Sequence, residues 1–253
     1  MGVALLPLSV PQSLACGLVL ILLEVLGPFL AERRAPTPWH AHHISERYSL
    51  LAIITLGEGI IGTVAALSAV IGQDQWSLPA VQIVIAGVGL TFGMWWMYFS
   101  IDVADILHHL RVRSFAFGYL HLPLFAAIAA TGAGLHIAAL WLTGEAHIPL
   151  VVVVAAVAVP VFLYVSLLYV IYYAVLRGGG VAEHSRFHVL QVVGTLAVIL
   201  AALAMAALGV PLGWCLLVVA AGPFVTVVTY EIAGYRHVHH DRTALLRTSD
   251  ADH

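Results

Sequence analysis

The chain has 253 residues, a formal net charge of −3, and 9 % charged against 62 % hydrophobic residues. So few charges cannot cover a soluble domain of this length, and so much apolar side chain excludes a disordered one. The ten basic residues are all arginine and form no basic run, which argues against a nucleic-acid partner.

A helix that crosses a bilayer needs roughly 20 mostly apolar residues. In chain order, such stretches run Gln12–Ala31, Tyr48–Ile71, Leu78–Ile101, Ser114–Leu142, Ile148–Leu176, Val189–Leu208 and Pro211–Ala233. The links between them are short and either polar or rich in proline and glycine. Barrel strands would alternate apolar and polar residues, and these runs do not. The reading is an all-α, polytopic membrane protein with seven transmembrane helices. Residues 1–235 form the spanning domain and residues 236–253 a tail. No positive charge precedes the first apolar run, so that run is read as a retained helix and not as a signal peptide.

The arginines set the expected orientation. Arg33, Arg34 and Arg47 lie in or beside the first link, Arg111 and Arg113 in the third, Arg177 and Arg186 in the fifth. Arg236, Arg242 and Arg247 lie in the tail. The positive-inside rule then puts the N-terminus outside and the C-terminus in the cytoplasm of a plasma membrane.

Several residues suit helix packing or the membrane interface. Gly89 with Gly93, and Gly134 with Ala138, are spaced for close helix contact. Trp95, Trp96, Tyr98 and Phe99 fit an aromatic belt at one end of the third helix. Pro160 and Pro223 are expected to kink helices five and seven. Cys16 and Cys215 read as small core residues, since two thiols in apolar runs make no disulfide framework.

Ionisable groups at membrane depth cost on the order of 2.5–3.5 kcal/mol each and therefore call for a reason. Glu58 is the sharpest case, near the middle of the second helix in Leu56-Gly57-Glu58-Gly59. Its flanking glycines leave space for a neighbouring backbone or water. It reads as a carboxyl that binds a proton or cation, or as an interhelical hydrogen-bonding group. Arg47 and Glu58 fall on one helical face roughly 16 Å apart, so together they mark a polar track and not a salt bridge. Glu46 is placed to pair with His43 at i+3. Glu24 is a second acid within an apolar run, midway along the first helix. His121 lies about two turns into the fourth helix, where it would bond a polar group on a neighbouring helix or relay a proton.

Histidine is abundant, with 14 residues, and twelve fall on the side that carries the arginines. His108, His109, Asp102 and Asp105 share one link and have the donor types that suit zinc. No H-E-x-x-H or C-x-x-C spacing accompanies them. No G-x-S-x-G element, phosphate loop or dinucleotide fingerprint is present.

The stretch Trp39-His40-Ala41-His42-His43-Ile44-Ser45-Glu46-Arg47-Tyr48, followed by Leu56-Gly57-Glu58, resembles the H-x-x-E-R … L-G-E signature of the bacterial low temperature requirement protein A family. Trp95-Trp96-Met97-Tyr98-Phe99 resembles its W-x-Y-F segment, and Tyr119-Leu120-His121-Leu122-Pro123 its Y-x-H-x-P segment. Order and spacing match over about residues 15–145, and the remainder is similar as hydrophobic helices. Nothing here matches the acidic-aromatic E-L-F-F-D-type motif with which family members begin. The resemblance thus implies the C-terminal two-thirds of a member, with preceding helices as absent partners. It places His43, Glu46, Arg47, Glu58 and His121 on motif positions.

The leading expectation is a proton- or cation-coupled transporter or permease of the inner membrane, which is not an enzyme and has no cofactor. Its partners would be the bilayer, a small-molecule or ionic cargo, and a second copy in a homo-oligomer. One alternative is a membrane-embedded hydrolase that uses zinc at the His/Asp cluster. Another is a non-catalytic stress sensor or receptor-like protein, a reading that rests on fold analogy.

Overall fold

The computed structural model describes residues 9–34, 40–71, 78–100, 114–176 and 185–229. They hold seven helices and, among the described residues, no strand. In chain order these are α1 (Val10–Arg34), α2 (Ala41–Ile71), α3 (Leu78–Phe99), α4 (Ser114–Leu142), α5 (Leu150–Leu176), α6 (Ser185–Ala207) and α7 (Leu212–Thr229). All seven are long and apolar enough to cross a membrane, so the expected helix count holds. The main boundary change is at α2, which begins at Ala41 and not at Tyr48. His42, His43, Glu46 and Arg47 therefore belong to a helix, with their side chains spaced by its turns.

The chain divides into two units, residues 1–40 and 41–253. The first contains α1, a 25-residue helix with Pro28 inside it. The second contains α2 to α7. Each of its helices packs on two neighbours, in the order α2, α4, α5, α6, α7, α3 and back to α2. Helix α5 also touches α7 across this ring. Leu90, Met94, Leu124, Ile128, Val157 and Val219 fill the interior. Large apolar side chains such as Leu50, Ile54, Phe92, Val152 and Leu196 face outward, as a lipid solvent permits.

Lipid offers no hydrophobic drive for helix association, so close packing and interhelical polar contacts must supply it. Small residues at the contacts make this packing tight. On α2, Gly59 and Thr63 are one turn apart, and on α3 Gly87 and Thr91 repeat the spacing. Thr91 fills the notch at Gly59, and Thr63 fills the notch at Gly87. Each threonine hydroxyl donates to the carbonyl of the glycine on its own helix, Thr63 to Gly59 at 2.6 Å and Thr91 to Gly87 at 3.0 Å. No polar atom of this notch is left unpaired. The expected small-residue contacts are also present: Gly134 meets Ala156 of α5, and Gly93 meets Pro223 of α7.

Two of the links are set by glycine. Gly144 and Gly209 have φ of 77° and 79°, a region that disfavours a Cβ. After α4, Gly144 N–H donates to Trp141 and Glu145 N–H to Leu140. After α6, Gly209 N–H donates to Ala206 and Val210 N–H to Met205. Both are Schellman caps, and Pro211 directly follows the second. They let α4–α5 and α6–α7 reverse within a few residues.

One hydrogen bond spans the ring: the Tyr164 hydroxyl of α5 donates to the Met94 carbonyl of α3 at 2.6 Å, with both residues buried. Tyr164→Phe is expected to lower the thermal stability of the detergent-solubilised protein by about 0.6–1.7 kcal/mol, the range of interhelical hydrogen bonds in membranes. An unchanged melting temperature would show that this bond contributes nothing.

Candidate functional site

Three helix ends converge on one buried imidazole. His121 lies in the second turn of α4 and is 1 % exposed. Its Nδ1 lies 2.7 Å from the Phe117 carbonyl, one turn back on the same helix. A carbonyl only accepts, so Nδ1 carries the ring proton. Nε2 is then an acceptor, and the Tyr98 hydroxyl, 3.0 Å away at the end of α3, donates to it. Ser49 of α2 lies beside Tyr98. The hydrogen-bonded series thus runs from Tyr98 on α3 to His121 on α4 and the Phe117 carbonyl.

An aromatic shell encloses the imidazole. Its ring centre is 4.2 Å from Phe117, 4.8 Å from Tyr48 and 5.4 Å from Phe125. Tyr48 meets Phe117 edge-on at 5.3 Å and stacks on Phe125 at 6.1 Å. Gly118 makes room for it, since a Cβ there would come within 2.8 Å of the Tyr48 hydroxyl. The shell keeps lipid from the imidazole and fixes its ring plane.

The structure places His121 in a hydrogen bond with Tyr98 of α3. The aromatic segment of α3 needs a correction. Trp95, Trp96 and Phe99 are exposed, as a belt requires, but Tyr98 turns inward and holds the histidine. Tyr48, Ser49 and Tyr98 escaped the sequence reading as site residues. The available signal was that Tyr48 and Tyr98 fall inside the same motif segments as Arg47 and Trp95.

The other expected residues do not join this cluster. Glu58 is exposed, on the edge of α2 next to α4, where its backbone and Cβ pack on Gly132. Of its flanking glycines, Gly59 takes Thr91, while Gly57 has open space. Arg47 is likewise exposed, so the track through Arg47 and Glu58 runs along the outside of α2 and not through the interior. His43 Nδ1 and Glu46 Oε2 lie 3.9 Å apart on side chains that are 75 % and 70 % exposed. So exposed a pair contributes little to stability. Glu24 is exposed on α1. His108, His109, Asp102 and Asp105 lie outside the described residues. Among the described residues no group of three or more His, Cys, Asp or Glu could hold a metal ion.

A second buried polar cluster joins α6 to α7. Gln191 Nε2 donates to the Thr226 carbonyl at 3.3 Å. The Thr195 hydroxyl lies 3.3 Å from that of Thr226, and each also donates one turn back along its own helix.

A ring of small-residue helix contacts, lipid-facing apolar flanks and a hydrogen-bonded imidazole inside the spans define a polytopic, multi-pass membrane protein. The chain belongs to the LtrA family: the family model described as Bacterial low temperature requirement A protein (LtrA) matches residues 1–222. That match extends past the motif-bearing stretch at 15–145 to include α5, α6 and the first part of α7. No curated protein and no solved structure matches the chain.

Proposed function

We propose that the protein is a proton-coupled transporter or permease of the bacterial inner membrane, with its proton-handling centre at Tyr98 and His121. The observation that carries this reading is the Tyr98–His121 hydrogen bond, a titratable pair held just inside the ends of two spanning helices. Ionisable groups in such positions mark ion or proton pathways more often than passive packing.

The chemistry follows from the tautomer. Neutral His121 accepts from Tyr98 at Nε2. A proton arriving at Nε2 turns that acceptor into a donor, so the Tyr98 hydroxyl must reverse its role. Its own proton then points away from His121. Proton binding is thereby linked to the α3–α4 contact that the bond spans, which is the element a transport cycle would move. Glu58 is proposed as a second proton-binding group, with Arg47, His43 and Glu46 at the helix end that leads to it, and Glu24 as an accessory acid. The arginine distribution supports an outside N-terminus and a cytoplasmic tail.

The test uses proteoliposomes loaded with a pH-sensitive dye and challenged in turn with amino acids, sugars and monovalent cations. One class is expected to acidify the lumen. Glu58→Gln is expected to slow that movement at least about tenfold while leaving the protein folded. Unchanged proton movement in Glu58→Gln would remove the carboxyl from the pathway. Absence of proton movement with every probe would overturn the reading.

A further inference from the structure

Glu58 is the acid nearest the midpoint of its membrane span, and it points out of the ring. A second titratable side chain does the same. His136 of α4 is exposed within the span Ala116–Leu142. Helices α2 and α4 run parallel, and Gly132 of α4 packs on Glu58. His136 follows Gly132 by four residues, so it stands about one turn, or roughly 5.4 Å, above the level of Glu58. Both side chains sit on the adjoining edges of their helices, along one external groove. Neither makes a hydrogen bond or ion pair among the described residues.

Carboxyls and imidazoles in spanning helices face protein or water, because lipid satisfies neither. The surroundings suit close approach by another helix. Ala126, Ala130 and Ala133 lie exposed along α4. We infer that the α2–α4 groove is a homodimer interface, in which Glu58 of one copy pairs with His136 of the other. A twofold axis along the membrane normal keeps both copies at the same depth. It forms the pair twice, since an isologous contact sets residue i against j and j against i. The surface thus complements itself in charge, with the paired groups one helical turn apart in depth. The inference rests on where Glu58 stands and not on its transport role, so the interface would form whether or not protons move.

Site-directed disulfide cross-linking of the full chain in bacterial membranes tests it. In a background carrying Cys16→Ser and Cys215→Ala, Ala133→Cys is treated with copper phenanthroline. The expected product has twice the mass of the 27.0 kDa chain. Its yield should exceed by about tenfold that of Val193→Cys, an outward position on α6. Glu58→Leu and His136→Leu should each reduce the cross-link. The exchange Glu58→His with His136→Glu should restore it, which simple misfolding would not do. Equal yields at Ala133 and Val193, an adduct of any other mass, or failure of the exchange to restore the cross-link would each overturn the interface. None of these readouts involves flux, so loss of the transport reading would leave them intact.

Discussion

His121→Gln is expected to keep the helix ring folded and to stop proton-coupled movement, whereas His121→Ala should damage both. Alanine removes a buried ring and the acceptor of Tyr98 together. The cavity and the orphaned hydroxyl should lower stability by about 3 kcal/mol. Glutamine offers an amide oxygen to Tyr98 and an amide N–H to the Phe117 carbonyl, so its stability should stay within about 1 kcal/mol of the parent. It cannot take up a proton near neutral pH. Proton movement in His121→Gln proteoliposomes should fall roughly a hundredfold, the scale seen when a positioned proton-transfer group is removed. A folded His121→Gln protein with normal flux would make the imidazole a latch and nothing more. Tyr98→Phe provides the complementary check, because it leaves the imidazole in place and takes away only its donor.

The second large effect is expected from packing. Gly132→Val should unfold or loosen the α2–α4 pair. A Cβ at Gly132 would stand 2.5 Å from the Glu58 carbonyl oxygen, 2.6 Å from its carbon and 2.8 Å from the Glu58 Cβ. These are mostly backbone atoms, which cannot swing aside. Gly62 of α2 is set against the Gly132 carbonyl in the same contact, so the helices would have to separate along several turns. The expected loss is about 3 kcal/mol, read as a lower melting temperature by fluorescence-detected size exclusion. Gly57→Ala is the control. Nothing lies within 4 Å of a Cβ there, and alanine gains about 1 kcal/mol of helix propensity. If Gly57→Ala were as damaging as Gly132→Val, the packing account of this contact would be wrong.

The helix count was legible in the sequence because length and apolar content are enough to define a span. The start of α2 was not. His42, His43, Glu46 and Arg47 are polar, and hydropathy alone cannot separate a polar helical turn from a loop. Direction was harder still. A spanning helix is apolar all round, so its pattern does not say which face meets protein. Glu58 therefore read as a proton-binding or interhelical carboxyl with no face assigned to it, and it stands on the exposed side of α2. Tyr98 read as part of a belt with Trp95 and Phe99, although it turns to His121. Only the partner helix distinguishes them, and that partner is supplied by the fold. His136 passed unnoticed because nothing in Ala133-Gly134-Leu135-His136 marks it beyond its depth.

The ring is closed by α3 against α7, at Gly93 and Pro223. During synthesis α3 emerges four spans before α7. One flank of α3 must therefore wait, unclaimed, while the four spans after it are made. The α2–α3 notch and the α4–α5 contact can form as their helices leave the insertion machinery, but the circle cannot. A ribosome that stalls before α7 would leave a C-shaped assembly with Gly93 open to lipid. Quality control of this protein would then turn on α7, and truncations within α7 should be degraded far faster than losses beyond residue 235.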